Sequence, residues 1–152
     1  MMGYLGTPLD ETLDDEGYFH TGDGGYIDPQ GRLVWEGRLN DIIKTGGANV
    51  SPIEIDDTLR AFPGVKVAQT VGIPDALYGE AIVACIVPHH GASLSVEALH
   101  TYARERLASY KVPKVFLLMA ESELKTTGSS KIITADLRKI AAARIGAGAL
   151  SS

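Results

Sequence analysis

The stretch from Gly37 to Asp56 constrains this chain most, because it sets a glycine pair just ahead of a strongly marked helix start. Ser51 suits the N-cap, Pro52 fits the first helical position, and Glu54 completes a Ser-x-x-Glu capping box. Val50 and Ile55 stand where a hydrophobic staple forms. Ile55, Leu59 and Phe62 then recur at helical spacing, and Pro63-Gly64 ends the run. Glu54 therefore has a structural role and is assigned no chemistry. Ahead of the helix, Gly46 and Gly47 lack a Cβ, which opens backbone conformations closed to other residues and lets a ligand approach the main chain. Taken alone, such a pair reads as a tight turn between two strands.

The 152 residues suit one domain, or one domain with an appendage. A hydrophobic share of 45% is ample for a core, and no apolar run is long enough to span a membrane. No basic segment followed by an apolar one marks a signal peptide. Cys85, the single cysteine, lies in the apolar run 81–87 and reads as a buried, inert thiol. A reducing, cytoplasmic setting fits these features. The net charge of −5 is unevenly placed: residues 1–37 carry eight acidic side chains and one basic one, residues 38–152 eleven and thirteen. The break at Gly37-Arg38 marks a domain boundary or hinge. The mildly basic second part favours anionic ligands but is too weakly charged for nucleic acid, and no nucleic-acid-binding signature accompanies it.

Along the chain, residues 17–21 and 25–27 are short strand candidates. Asp28-Pro29-Gln30-Gly31 has turn chemistry, and residues 33–35 return as the partner strand of a hairpin. Tyr26 and Trp35 read as hairpin packing. These thirty-odd residues cannot bury a core alone. Residues 65–73 and 81–88 have strand character, and His89-His90-Gly91 is a turn rather than a metal site, since spacing places no third ligand. Ser95 caps a helix with an apolar stripe of Leu99, Ala103 and Leu107. Residues 115–118 form a further strand, and a last helix starts near Thr134 with Leu137, Ile140, Ala141 and Ile145 on one face. The fold class is α+β: a β-hairpin and a central sheet of about three strands flanked by helices, preceded by a short β segment.

Three places bear chemistry. In Thr21-Gly22-Asp23 a carboxylate at a strand end can accept two adjacent hydroxyls, as a ribose diol needs, or can simply close a turn. The planar fork of Arg38 suits phosphate or carboxylate, or a surface ion pair. The loop 125–131 holds hydroxyls, Gly128 and the lysines Lys125 and Lys131. It suits phosphate contact or plain solvation, and Ile132 after the lysine excludes a Walker A loop. Lys111 and Lys114, flanking Pro113 before a strand, could meet ligand phosphates but read better as surface lysines, and His100 has no catalytic partner in view.

Together, Thr21-Gly22-Asp23, Gly37-Arg38-x-x-Asp41, Gly46-Gly47-x-Asn49-Val50-x-Pro52-x-Glu54-Ile55-Asp56 and Gly128-x-x-Lys131 resemble, in order, the motifs of adenylate-forming enzymes. That superfamily holds acyl-CoA synthetases, peptide-synthetase adenylation domains and luciferases. The Gly-Gly-x-Asn form resembles the acyl-CoA synthetase branch, and the resemblance runs from Met2-Gly3-Tyr4 to about Arg138. It implies that residues 1–38 end a large N-terminal AMP-binding domain, that 39–146 form its mobile C-terminal domain, and that 147–152 are a frayed tail.

The same resemblance implies roles. Asp23 would hold the ribose hydroxyls of ATP and acyl-AMP, and Arg38 would contact ribose or phosphate. Asn40 would sit at the hinge, Lys131 would balance charge at the α-phosphate, and Gly46 and Gly47 would line the pantetheine tunnel of coenzyme A. The enzyme would use ATP, Mg2+, CoA and a carboxylic acid, with the Mg2+ site in the missing N-terminal domain and no metal site here. The fragment alone would be inactive. The sequence departs from the family's loop by Lys125 for Pro and Ser130 for Gly, from its hinge by Asn40 for Asp or Lys, and by Ala48 for the Glu often found after the glycine pair. A stand-alone binding or interaction module of the same fold, or the end of a peptide-synthetase-like adenylation domain, are the alternatives.

Overall fold

A computed structural model describes residues 13–128 and 131–148. It divides into two compact units, Met1–Asn40 and Asp41–Ser152. The α+β class is observed. Residues 2–4, part of the expected resemblance, and Ser130 lie outside the described residues.

In the first unit, β1 (Asp23–Ile27) and β2 (Leu33–Arg38) form an antiparallel hairpin. Its turn closes as the composition predicts. The amide of Gly31 donates to the carbonyl of Asp28 at 2.9 Å, and the Asp28 carboxylate accepts the amides of Gln30 and Arg32, each at 2.9 Å. The Arg32 amide leads these contacts in holding the Asp28 carboxyl below the usual carboxylate range. The strand expected at 17–21 does not form. The pairing described there is an isolated bridge, Leu13 to Phe19, because the Asp14 carboxylate takes the amides of Glu16 and Tyr18 and bends the chain into a turn. Tyr26 and Trp35 are 51% and 55% exposed; a two-stranded ribbon has no second layer to bury them within its own unit.

The second unit carries a five-stranded sheet: β3 (Ile43–Thr45), β4 (Ala48–Val50), β5 (Val65–Asp75), β6 (Gly79–Pro88) and β7 (Val115–Leu118). The two strands beyond the expected three are the three-residue arms of the Gly46-Gly47 turn. β6 organises the sheet. Antiparallel β5 runs along one edge. The other edge takes β7 in parallel at Val83–Ile86 and β3 at Gly79. Every residue of the run 81–87 is buried, since a central strand covered on both faces has no side to leave polar.

The alternation along β6 separates two cores. Ile82, Ala84 and Ile86 pack with Ile43, Val50, Ile55 and Leu59, and with Leu99 and Ala103. Val83, Cys85 and Val87 pack with Leu137 and Ala141. The first core belongs to α1 (Pro52–Arg60) and α2 (Val96–Arg106), the second to α3 (Thr134–Gly148). Each fully buried Leu or Ile contributes about 1.5–3 kcal/mol relative to exposure. Burial also pushes the Cys85 thiol up to about 12, leaving it neutral and inert.

The helix starts differ from each other. Ser95 caps α2 as expected, its hydroxyl oxygen accepting the Ala98 amide at 3.2 Å. Ser51 holds the N-cap position of α1 with extended backbone, yet its side chain makes no capping bond. The expected capping box does not close. Glu54 reaches instead to the Lys111 ammonium at 2.5 Å, exchanging a local cap for a tie to the segment before β7.

Candidate functional site

The hairpin register brings Asp23 and Arg38 opposite each other. Arg38 Nε lies 3.0 Å from Asp23 Oδ1, and Arg38 Nη1 donates to the Thr21 carbonyl at 2.5 Å. The Asp23 amide in turn donates to Thr21 Oγ1 at 3.1 Å. Gly22, at φ +73°, lets the chain fold around the guanidinium. Thus the two residues expected to meet a nucleotide form one ion-paired cluster. The cluster leaves carboxylate lone pairs for further donors. Asn40 is exposed in a short 3-10 turn, Leu39–Asp41, at the boundary between the two units in the chain.

Gly46 and Gly47 form the two-residue turn joining β3 and β4, with Thr45 paired to Ala48. Both have positive φ, +57° and +82°, the mirror-image turn geometry that matches strand twist and calls for glycine. The tight-turn reading is therefore correct, and the turn is also anchored. The Gly46 amide donates to the Tyr78 carbonyl at 2.9 Å, in the connection between β5 and β6. Beside it lies a hollow of about 330 Å3 lined by Thr45, Gly46, Ala48, Tyr78, Ser109 and Lys114, among others.

Lys114 at that rim is held on two sides, which the surface-lysine reading missed. Its ammonium sits 3.2 Å from the Tyr78 ring centroid and 3.8 Å from Asp75 Oδ2. Asp75 Oδ1 accepts the amides of Leu77 and Tyr78, each at 2.9 Å. The Tyr78 amide is the main reason its carboxyl stays below the usual range. The signal available in the sequence was Asp75-x-Leu77-Tyr78, an Asx turn presenting an aromatic ring.

Lys131 belongs to another part of this unit. The loop before α3 is drawn into a narrow hairpin. The Thr127 amide donates to the Lys131 carbonyl at 2.8 Å, and the Ile133 amide to the Lys125 carbonyl at 2.9 Å. The Lys131 amide donates to Thr127 Oγ1 at 3.3 Å, and the Lys131 side chain is exposed. Lys125, at the expected proline position, stands 3.7 Å from Asp136. Ile132 packs into the α3-side core, whereas Ile43, Val50 and Ala48 around the glycine turn pack into the α1/α2-side core. The glycine turn and the lysine loop are thus rooted in opposite faces of one sheet.

Sequence reasoning also passed over Asp56. It lies 6% exposed on α1, with Oδ1 accepting the Thr70 amide at 2.6 Å and Oδ2 the Gln69 side-chain amide at 3.2 Å. Desolvation dominates and raises its carboxyl to about 7. Among the described residues no three His, Cys, Asp or Glu side chains are grouped to hold a metal ion, and no helix is long and apolar enough to cross a membrane.

Comparison with known proteins fits this geometry. Residues 54–131 match the family described as AMP-binding enzyme C-terminal domain. The chain is 39% identical over 141 residues to a feruloyl-CoA synthase of Amycolatopsis sp, covering 91% of this chain and 28% of that protein. ATP-bound MatB from Rhodopseudomonas palustris superposes with a TM-score of 0.78 at 32% identity, over 85% of this chain and 25% of that one. The o-succinylbenzoate CoA synthetase of Bacillus subtilis, solved with its acyl-adenylate intermediate, gives 0.76 at 33% identity, over 84% and 25%. The chain spans about a quarter of the length of these relatives. With a family match across half its residues, this chain belongs to the AMP-binding enzyme C-terminal domain family.

Proposed function

We propose that this chain is the C-terminal part of an ATP-dependent acyl-CoA synthetase, which turns a carboxylic acid into acyl-AMP and then into a CoA thioester. The observation that carries the reading is the rooting of the glycine turn and the lysine loop in opposite faces of one sheet. One rigid domain can then present either face to a shared substrate site, and rotation between them orders two half-reactions.

In the first half-reaction the substrate carboxylate attacks the α-phosphorus of ATP and pyrophosphate departs. Lys131, exposed on the return arm of a braced loop, supplies a cation where negative charge grows on the α-phosphate. Asp23 accepts the ribose hydroxyls while Arg38 holds that carboxylate in place and meets ribose or phosphate. In the second, the CoA thiolate attacks the acyl carbon and AMP leaves. The Gly46-Gly47 turn and its hollow receive the pantetheine arm, for which the absent Cβ of Gly46 clears a path.

Residues 1–38 then close the large domain, Asn40 is the pivot, and residues 39–146 move. The Mg2+ that accompanies ATP is bound outside this chain. The matched CoA synthetases support the ligase reading over a bare interaction module. The test is acid-dependent pyrophosphate release and CoA thioester formation by the full-length protein across a panel of aryl, short-chain and dicarboxylic acids. The reading expects both products with at least one acid. Thioester formation without ATP consumption contradicts it.

A further inference from the structure

β3 meets β6 at a single paired position, Thr45 with Gly79. In that register Gly46 stands opposite Tyr78 and Lys44 opposite Glu80, the flanking positions at which an antiparallel pair exchanges backbone hydrogen bonds. The first bond forms as expected, from the Gly46 amide to the Tyr78 carbonyl at 2.9 Å. At the other position the Lys44 amide donates to the Glu80 side chain, Oε2 at 2.6 Å. A carboxylate thus takes the place of a strand carbonyl at the root of the glycine turn. We infer that Glu80 is a positioning residue for CoA transfer, its carboxylate setting where β3 and the Gly46-Gly47 turn stand; the inference rests on the ligase reading and adds a residue to it.

The surroundings are shaped to that carboxylate. Along β5, Gly72 lies opposite Ile82 and Pro74 opposite Glu80, which sets Gly72 and Glu80 diagonally on one face. A Cβ at Gly72 would come 2.9 Å from Glu80 Oε1 and 2.9 Å from Ile43 Cγ2. Gly72 is not in the left-handed region, so glycine is required there for space: the missing side chain leaves room for Ile43 and the Glu80 carboxylate. Gly79, at φ +80°, completes the fit, since a Cβ there would stand 3.3 Å from the Lys44 carbonyl oxygen.

The tie bears on the acceptor path. Thr45 and Gly46 on one side and Tyr78 and Ile82 on the other line the hollow of about 330 Å3, so the join between β3 and β6 sets its width. Ile132, beside Lys131, packs on the opposite face of the sheet, which leaves adenylation independent of this tie. The partner of Glu80 is a neutral amide. The position therefore needs an acceptor oxygen at the right reach rather than a charge, which Gln supplies and Ala does not.

The test compares Glu80→Ala and Glu80→Gln of the full-length protein in acid-dependent pyrophosphate release and in CoA thioester formation from supplied acyl-AMP. Glu80→Ala is expected to raise KM for CoA about five- to twentyfold, with pyrophosphate release within about twofold of wild type. Glu80→Gln returns KM to within about threefold of wild type. A KM does not depend on how much of the protein is folded, so lost stability alone does not raise it. Hydrogen exchange over residues 43–46, followed by mass spectrometry, is a readout free of turnover: at least about tenfold faster in Glu80→Ala and near wild type in Glu80→Gln. An unchanged KM for CoA in Glu80→Ala, adenylation that falls as far as transfer, or a Gln variant no better than Ala overturns the assignment and leaves the ligase reading standing. A wild type that makes neither pyrophosphate nor thioester with any acid removes the ligase reading and the role in CoA transfer with it. Exchange over 43–46 that is the same in wild type and Glu80→Ala overturns the strand tie whatever the activity.

Discussion

The Gly46 amide and the Tyr78 carbonyl meet at 2.9 Å, tying the β3–β4 turn to the connection that also carries Lys114's aromatic seat. A change at either glycine therefore acts on two quantities that can be separated. At Gly47 an added Cβ meets nothing within 4 Å, whereas at Gly46 it comes 3.5 Å from the Tyr78 ring, in the wall of the hollow. Both positions have positive φ, so Gly46→Ala and Gly47→Ala each destabilise by about 1–2 kcal/mol in urea denaturation. Only Gly46→Ala is expected to raise KM for CoA as well, about three- to tenfold, because only its methyl group narrows the path.

Asp56 makes stability depend on pH in an unusual direction. Its folded carboxyl titrates near 7, above the ordinary 3.8, because burial disfavours the charge. A raised acid is protonated more readily when folded, so its contribution is fully present below about pH 4. It is lost as pH rises towards and through 7. Asp56→Asn keeps an oxygen for the Thr70 amide and carries no charge. Relative to wild type, this variant gains roughly 2–3 kcal/mol of stability between pH 5 and pH 8, read from denaturation midpoints at several pH values. A wild-type-minus-variant difference that stays flat over that range contradicts the assignment.

Arg138 on α3 stands 3.5 Å from Asp41, the first residue of the second unit. The pair joins the segment after Asn40 to the helix that follows the Lys131 loop. Both side chains are about one-third exposed, which screens the pair to about 0.5–1 kcal/mol. Arg138→Met lowers stability by about that amount. A double-mutant cycle with Asp41→Asn returns a coupling of similar size, and a coupling near zero shows that the pair contributes nothing.

Much of this fold is visible in the residues, and the exceptions have physical causes. Residues 81–87 announce a strand covered on both faces, and the stripe of Leu99, Ala103 and Leu107 announces α2; both are found. β3 and β4 are legible only as the two strands that flank the glycine turn; three residues are too few to establish a period, so their bounds and their place in the main sheet are not. Ser51 carries the spacing of a capping box, but Lys111, far away in sequence, draws Glu54 off. Tertiary contact overrides the local signal there. Asp56 was legible in principle: Pro52, Ile55, Asp56 and Leu59 follow i, i+3, i+4, i+7 spacing and all are buried. The site is less legible than the fold. Asp23 and Arg38 were named as separate candidates, and only the hairpin register makes them one cluster. Lys114 differs from any surface lysine only through the Tyr78 ring beneath it.

The central claim, that one small domain serves two half-reactions from opposite faces of its sheet, meets its most direct test in Lys131→Ala of the full-length protein. Acid-dependent pyrophosphate release is measured first, then CoA thioester formation from supplied acyl-AMP. The account predicts that adenylation falls about 10²–10³-fold, roughly 3–4 kcal/mol of transition-state stabilisation, while transfer from acyl-AMP stays within about twofold of wild type. Equal loss in both steps, or none in either, contradicts it.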